Sequence, residues 1–315
     1  MASPGGVAEL AITDVPEPSA SAGNVRVRVR HAAVNPADWK VLGGGFVASI
    51  LHGRQSPVVV GYDFEGVVDQ VGAGVAGLVV GDRVAGFLPY TRATRRGAFA
   101  EWVVATPEMV TTIPETMDGK VAAAFPTGGA TVLQMIRDLG KLPSGGSILV
   151  VGAAGGVGTM ALGVGHALGA KVTAVCSTGA VELVRSLGAD AVIDRTQTDP
   201  LRASGTWDLV LDVAAAWSFA SCRHLLTPTG AYVTTLPGPG VFWGKALTLF
   251  GQQRSEFVTV QNRSSDLVQL RDWVLAGMQV PIDSTWPVRE LRGALERQQR
   301  GGMKGKILVE VEGGW

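Results

Sequence analysis

Residues 147–158 read Ser147-Ile-Leu-Val-Val-Gly152-Ala-Ala-Gly-Gly-Val-Gly158, and no other stretch restricts the fold as tightly. Ile148, Leu149, Val150 and Val151 form an unbroken apolar run, which suits a strand covered on both faces. Ala153-x-Gly155-x-x-Gly158 follows and opens into a small-residue helix. A strand, a tight turn and a helix start in this order bring the helix's free N–H groups and partial positive charge to the turn. Such a turn can hold the pyrophosphate of a dinucleotide, here with Ala153 in the first glycine slot. Gly155 lets the backbone approach the phosphates, and Gly158 lets the helix pack close on the strand. Ala153, Ala154, Gly155, Gly156 and Val157 are the expected contacts.

Downstream, strands and helices alternate at 147–151, 157–168, 171–176, 180–187, 190–194, 207–212, 217–226 and 230–235. That spacing predicts a doubly wound parallel sheet with helices on both faces. The first hundred residues have another texture. Val25, Val27 and Val29 alternate with Arg26, Arg28 and Arg30, a half-buried strand whose arginines read as a solvated face rather than an anion site. Glycine-broken apolar runs follow over 57–74, 81–84 and 97–104, without intervening helices. The tail carries helical segments at 266–276 and 289–300 and a strand at 306–311. At 315 residues the chain exceeds what one core serves, so two domains are expected.

The charge balance of 27 basic and 27 acidic residues, with no basic run, argues against nucleic acid. No apolar run is long enough to span a membrane, and no basic n-region precedes an apolar core at the start. Cys176 and Cys222 form no ligand pattern, and two isolated thiols fit a reducing cytoplasm. The four histidines, His31, His52, His166 and His224, lack metal-ligand spacing.

Several motifs together resemble the medium-chain dehydrogenase/reductase superfamily, in its zinc-independent quinone oxidoreductase or enoyl reductase branch. They are Asn35-Pro-Ala-Asp38-Trp-Lys, Gly61-Tyr-Asp-Phe-Glu-Gly-Val-Val68, Gly81-Asp-Arg-Val84, Gly97-Ala-Phe-Ala-Glu101, the glycine turn, Leu183-Val-Arg-Ser-Leu-Gly-Ala-Asp190 and Gly305-Lys-Ile-Leu308. The resemblance implies a GroES-like, β-rich, partly open-barrel catalytic domain over 1–117 and 257–315, around a Rossmann domain over 118–256. It implies a small-molecule substrate and a homodimer. Zinc-dependent relatives keep Cys where this chain has Asn35 and His where it has Tyr62, so no metal is expected. Relatives also open with an extra strand, which only residues 7–12 can supply here.

An NAD site usually ends its second strand with an acid. Here that strand ends Cys176-Ser177-Thr178-Gly179, whose hydroxyls can donate to a 2′-phosphate, and the expected cofactor is NADPH. The branch usually has Lys at the position of Gly179 and Tyr at that of Arg195; Arg195 either restores the charge or faces solvent. The resemblance places Thr131 toward the nicotinamide and Lys304 and Lys306 near the cofactor, where an ordinary surface role is an equal reading. It also makes Asn35 and Lys40 candidates to polarise a substrate carbonyl. Tyr62 is a candidate proton donor or a packing residue. Asp38 is expected to orient its neighbours or cap a short helix. Tyr90, in a loop with Arg92, Arg95 and Arg96, is a weaker candidate. Phe242 and Trp243, in a flap over 236–243, suggest a bulky, aromatic or polyketide-like substrate, or else a subunit contact. The leading expectation is hydride transfer from NADPH to an enone, enoyl compound or quinone. The alternatives are a dedicated natural-product enoyl reductase and a non-catalytic NADPH-binding sensor.

Overall fold

The computed structural model describes residues 6–42, 58–91, 94, 96–236, 243–245, 247–248 and 251–314. His52, Arg92, Arg95 and Phe242 lie outside the described residues. The chain divides into two units: residues 1–127, 261–276 and 282–315 in one, residues 128–260 and 277–281 in the other.

The first unit is built on β1 (Val25–Val34), whose odd valines are buried at no more than 1% exposure. Along one edge β1 pairs antiparallel with β2 (Asp63–Val71). Along the other it pairs first with β4 (Trp102–Ala105) and then with β13 (Lys306–Glu310). β3 (Arg83–Phe87) and β5 (Val110–Thr112) extend the β2 side, and β12 (Ile282–Pro287) runs parallel to β13. The sheet path does not close on itself among the described residues. The outward arginines of β1 are ion-paired rather than bare: Arg26 with Asp69 at 2.8 Å, and Arg28 and Arg30 with Glu312 at 3.3 and 3.2 Å. Residues 7–12, which alone could supply an opening strand, hold a single 3-10 turn at Val7–Glu9 and no strand.

Three helices matter to the site: α1 (Pro36–Leu42), α2 (Gly119–Ala124) and α3 (Pro126–Gln134). α2 packs on β1 and β2, which is why the first unit runs to Thr127 rather than ending near 117.

The second unit is a six-stranded, wholly parallel sheet. Its strands are β6 (Ser147–Val151), β7 (Lys171–Cys176), β8 (Ala191–Asp194), β9 (Trp207–Asp212), β10 (Leu226–Thr234) and β11 (Arg254–Phe257). The order β11-β10-β9-β6-β7-β8 starts mid-sheet, runs outward, and returns across the start. Strand order therefore reverses between β6 and β9, and ligands of such sheets bind beyond the strand C-termini at that point. The helices of this unit among the described residues include α4 (Gly156–Ala167), α5 (Val181–Ser186) and the short α6 (Phe219–Cys222). Back in the first unit lie α7 (Ser264–Leu275) and α8 (Leu291–Arg300). Among the described residues no helix is long and apolar enough to cross a membrane.

Candidate active site

Asn35 sits between β1 and α1, where a short polar side chain commonly caps the helix. Here the cap is made differently. Asp38 N donates to Asn35 O at 3.0 Å, and Asp38 Oδ2 accepts from Asn35 N at 2.6 Å, the carboxylate half of a capping box. The Asn35 side chain is left for tertiary bonds. Its Nδ2 donates to Asp63 Oδ2 at 2.8 Å and to Ala33 O at 3.4 Å, and its Oδ1 accepts from Lys306 Nζ at 2.8 Å. Lys306 Nζ also lies 3.0 Å from Asp63 Oδ2. Asp63 Oδ1 accepts from Thr127 N, in the first turn of α3, at 2.8 Å.

Strand register brings these residues together. Val34 pairs with Ile307, which puts Lys306 beside Asn35, and Ala33 pairs with Asp63. Asn35, Asp38, Asp63 and Lys306 are each at most 3% exposed. Burial of charge on this scale requires pairing, and the network supplies it for Asp63 and Lys306. Asp38 is less well served: its Oδ1 has no hydrogen-bond partner among the described residues. Burial pushes the Asp38 carboxyl up to about 7, against the bond from Asn35 N and the Lys306 charge.

Tyr62 precedes Asp63 and is 2% exposed. Its ring lies against that of half-buried Tyr90, centroids 4.0 Å apart and tilted by 35°. Burial, with the Asp38 charge second, raises the Tyr62 hydroxyl above its ordinary range, and burial raises Tyr90 likewise. Both phenols are protonated at neutral pH, as an ordinary tyrosine is, and burial strengthens that state. Lys40, on α1, is half-buried, and burial lowers its ammonium pKa. The Asn35 amide has both donors and its acceptor engaged within the protein. Asp63 and Thr127 were missed in the sequence. The signal for Asp63 was an acid inside an otherwise apolar run.

Among the described residues no group of three or more His, Cys, Asp or Glu could hold a metal ion. His31 bonds Glu65 at 2.9 Å, and His224 Nε2 donates to Leu201 O at 2.8 Å. Cys176 and Cys222 are buried and separate.

In the second unit the glycine turn follows β6. A Cβ on Gly158 would stand 2.1 Å from Gly152 O and 2.7 Å from the Ala153 backbone, so only glycine allows this approach of α4 to the turn. A Cβ on Gly155 would meet only Gly152 O, at 3.7 Å, which leaves room above the turn. Ala153 N donates to Val175 O at 3.1 Å and fixes the turn to β7. With the unshared N–H groups of α4 behind it, the turn fits a pyrophosphate. Ala154, Gly155 and Val157 are partly exposed, while Ala153 and Gly156 are buried. Thr131 is 7% exposed on α3, and Lys304 is exposed ahead of β13.

At the end of β7, Thr178 Oγ1 donates to Asp194 Oδ2 at 2.6 Å and lies 2.5 Å from Thr196 Oγ1. Asp194 Oδ1 also accepts from Thr196 N at 2.9 Å. These bonds, the one from Thr178 first, hold the Asp194 carboxyl below its ordinary range. Thr178 was expected to donate to a 2′-phosphate, but its hydroxyl hydrogen is already used within this cluster. The Ser177 hydroxyl makes no helix-cap bond, and Arg195 is exposed. The acid comes from the neighbouring strand, one residue before Arg195, which is why a search of β7 alone passed over it.

Residues 21–115 match the alcohol dehydrogenase GroES-like domain family, and residues 187–309 match the zinc-binding dehydrogenase family. The chain is 30% identical to the chloroplast envelope quinone oxidoreductase homolog of Arabidopsis thaliana, over 97% of this chain and 95% of that one. It is 30% identical to a trans-enoyl reductase of Aspergillus terreus, over 92% of this chain and 87% of that one. The structure of the quinone oxidoreductase from Coxiella burnetii superposes with a TM-score of 0.89 at 26% identity, covering 98% of this chain and 97% of that one.

Proposed function

Because the chain belongs to the medium-chain dehydrogenase/reductase superfamily, in its quinone oxidoreductase and enoyl reductase branch, and is an NAD(P)H-dependent oxidoreductase, we propose that it reduces an activated C=C bond or a quinone with NADPH and without a metal. The observation that carries this reading is the turn at Gly152–Gly158, closed to any side chain at Gly158 and open above Gly155. The N–H groups of residues 154–157 would hold the pyrophosphate, and Ser177 and Arg195 would hold the 2′-phosphate. NADPH when bound supplies the hydride.

The chain's own task is to place the acceptor and to answer the negative charge that hydride delivery leaves on its oxygen. Tyr62, a phenol protonated at neutral pH beside Asp63, is the candidate to give that oxygen a proton. Lys40 supplies a cation from α1. Asp38 and Asn35 set the entry of α1, and hence the position of Lys40.

The test is a fluorescence titration of metal-analysed protein with NADPH and NADH, followed by NADPH oxidation against a panel of enones, enoyl thioesters and quinones. Selective NADPH binding with turnover in zinc-free protein is the expected result. Preference for NADH would overturn the roles of Ser177 and Arg195. Activity that depends on added zinc would overturn the metal-free stabilisation.

A further inference from the structure

Lys306 is the first residue of β13 and is 3% exposed, with its ammonium 2.8 Å from Asn35 Oδ1 and 3.0 Å from Asp63 Oδ2. Those two partners stand at the starts of different elements. Asn35 opens α1, which carries Lys40, and Asp63 opens β2, directly after Tyr62. We infer that Lys306 is a positioning residue of the candidate site, a buried clamp that fixes the entry of α1 to the entry of β2 and so sets Lys40 and Tyr62 relative to each other.

The chemistry of buried charge favours orientation over stability as the effect of this clamp. Desolvating an ammonium and a carboxylate largely offsets their attraction, so an apolar pair of similar volume commonly holds a fold as well. What an apolar pair lacks is direction. Lys306 accepts no hydrogen bond, so it dictates which end of the Asn35 amide faces it: Oδ1 toward Lys306, Nδ2 toward Asp63. Asp63 in turn holds the first turn of α3 through Thr127 N, so three elements meet at one ammonium–carboxylate pair. Without Lys306, the amide loses the partner of its oxygen and Asp63 is left charged in a dry site.

This inference rests on the reductase reading for its kinetic consequence, and a second measurement keeps it testable without that reading. The variants are Lys306→Met, Lys306→Arg and the double variant Lys306→Met/Asp63→Asn, in which no buried charge is left unpaired. In Lys306→Met, kcat for enone or quinone reduction is expected to fall by about tenfold to a hundredfold, as misplacement of reacting groups does, with the NADPH Kd within about twofold. Lys306→Arg should recover part of kcat. The double variant should recover Tm but not kcat, because the carboxamide introduced at position 63 lets the Asn35 amide turn round, and nothing then fixes the orientation that Lys306 imposed. Backbone hydrogen exchange over residues 35–42 and 62–64 should be faster in both Met variants than in the Arg variant. Unchanged kcat in Lys306→Met, recovery of kcat together with Tm in the double variant, or unchanged exchange would overturn the clamp. If the wild-type protein reduces none of the panel, the reductase reading fails, and the exchange measurement decides the clamp by itself.

Discussion

Replacing Asp38 by Asn isolates one buried carboxyl and changes little else. The Asn side chain keeps an oxygen to accept from Asn35 N, and the site it enters is fully buried. Burial raises the Asp38 pKa from the ordinary 3.8 to about 7. Between those values the folded protein holds a proton that the unfolded chain has released. The folded state therefore binds more protons, and stability falls as pH rises. At about 1.4 kcal/mol per pH unit, moving the pKa from 3.8 to about 7 corresponds to about 4 kcal/mol, present below pH 3.8 and lost by the time pH passes 7. Asp38→Asn has no such loss. Its stability minus that of the wild type should rise by about 4 kcal/mol from pH 3.5 to pH 8 and then level off. Urea unfolding of both proteins at half-unit pH steps measures this difference, and the titrations of all other carboxyls cancel in the subtraction. A difference that stays flat across the range would refute the claim that Asp38 is buried without adequate compensation. A difference that falls with pH would mean that the carboxylate is stabilised by partners not accounted for here.

Three further outcomes follow from the same geometry. Gly158→Ala should raise the NADPH Kd by about a hundredfold or more, since a methyl 2.1 Å from Gly152 O forces α4 off the turn that the phosphates need; equilibrium dialysis checks it. Arg83→Ala should destabilise the protein by about 3–5 kcal/mol in urea unfolding, because it leaves Glu65, fully buried, without the guanidinium 2.9 Å away and with His31 as its remaining ionisable partner. Asp194→Asn should tighten NADPH about threefold relative to NADH at low salt, and less at high salt, because it removes a carboxylate bonded to Thr178; paired titrations at two ionic strengths measure it.

The strands of the second unit were readable because their side chains carry the signal. β6, β7 and β9 lie inside the sheet and are largely apolar at their centres, and their bounds match the sequence reading. The strands that were missed, β5, β11 and β12, are all at sheet edges. An edge strand is made by hydrogen bonds to one neighbour, and its side chains need not alternate; β12 even ends in Pro287, which an edge tolerates. Residues 7–12, the only segment that could supply an opening strand, show the converse. The segment is apolar enough, but it has no strand partner, and it forms a 3-10 turn instead.

What the sequence by itself determined is everything that depends on local spacing and on residue type. The run of 147–158 specifies strand, turn and helix, because each glycine task is met within twelve residues of one another. That positions 35 and 62 hold Asn and Tyr, neither of them a usual zinc ligand, is equally visible one residue at a time. What only the tertiary structure decided is which polar groups share a dry space. Asn35 looked like a donor for substrate, but the register of β1 with β2 and β13 turns its amide toward Asp63 and Lys306, 28 and 271 positions away. Thr178 looked like a phosphate ligand until β8 brought Asp194 against it. Burial, charge and hydrogen-bond commitment belong to the set of neighbours, and no window along the chain contains that set.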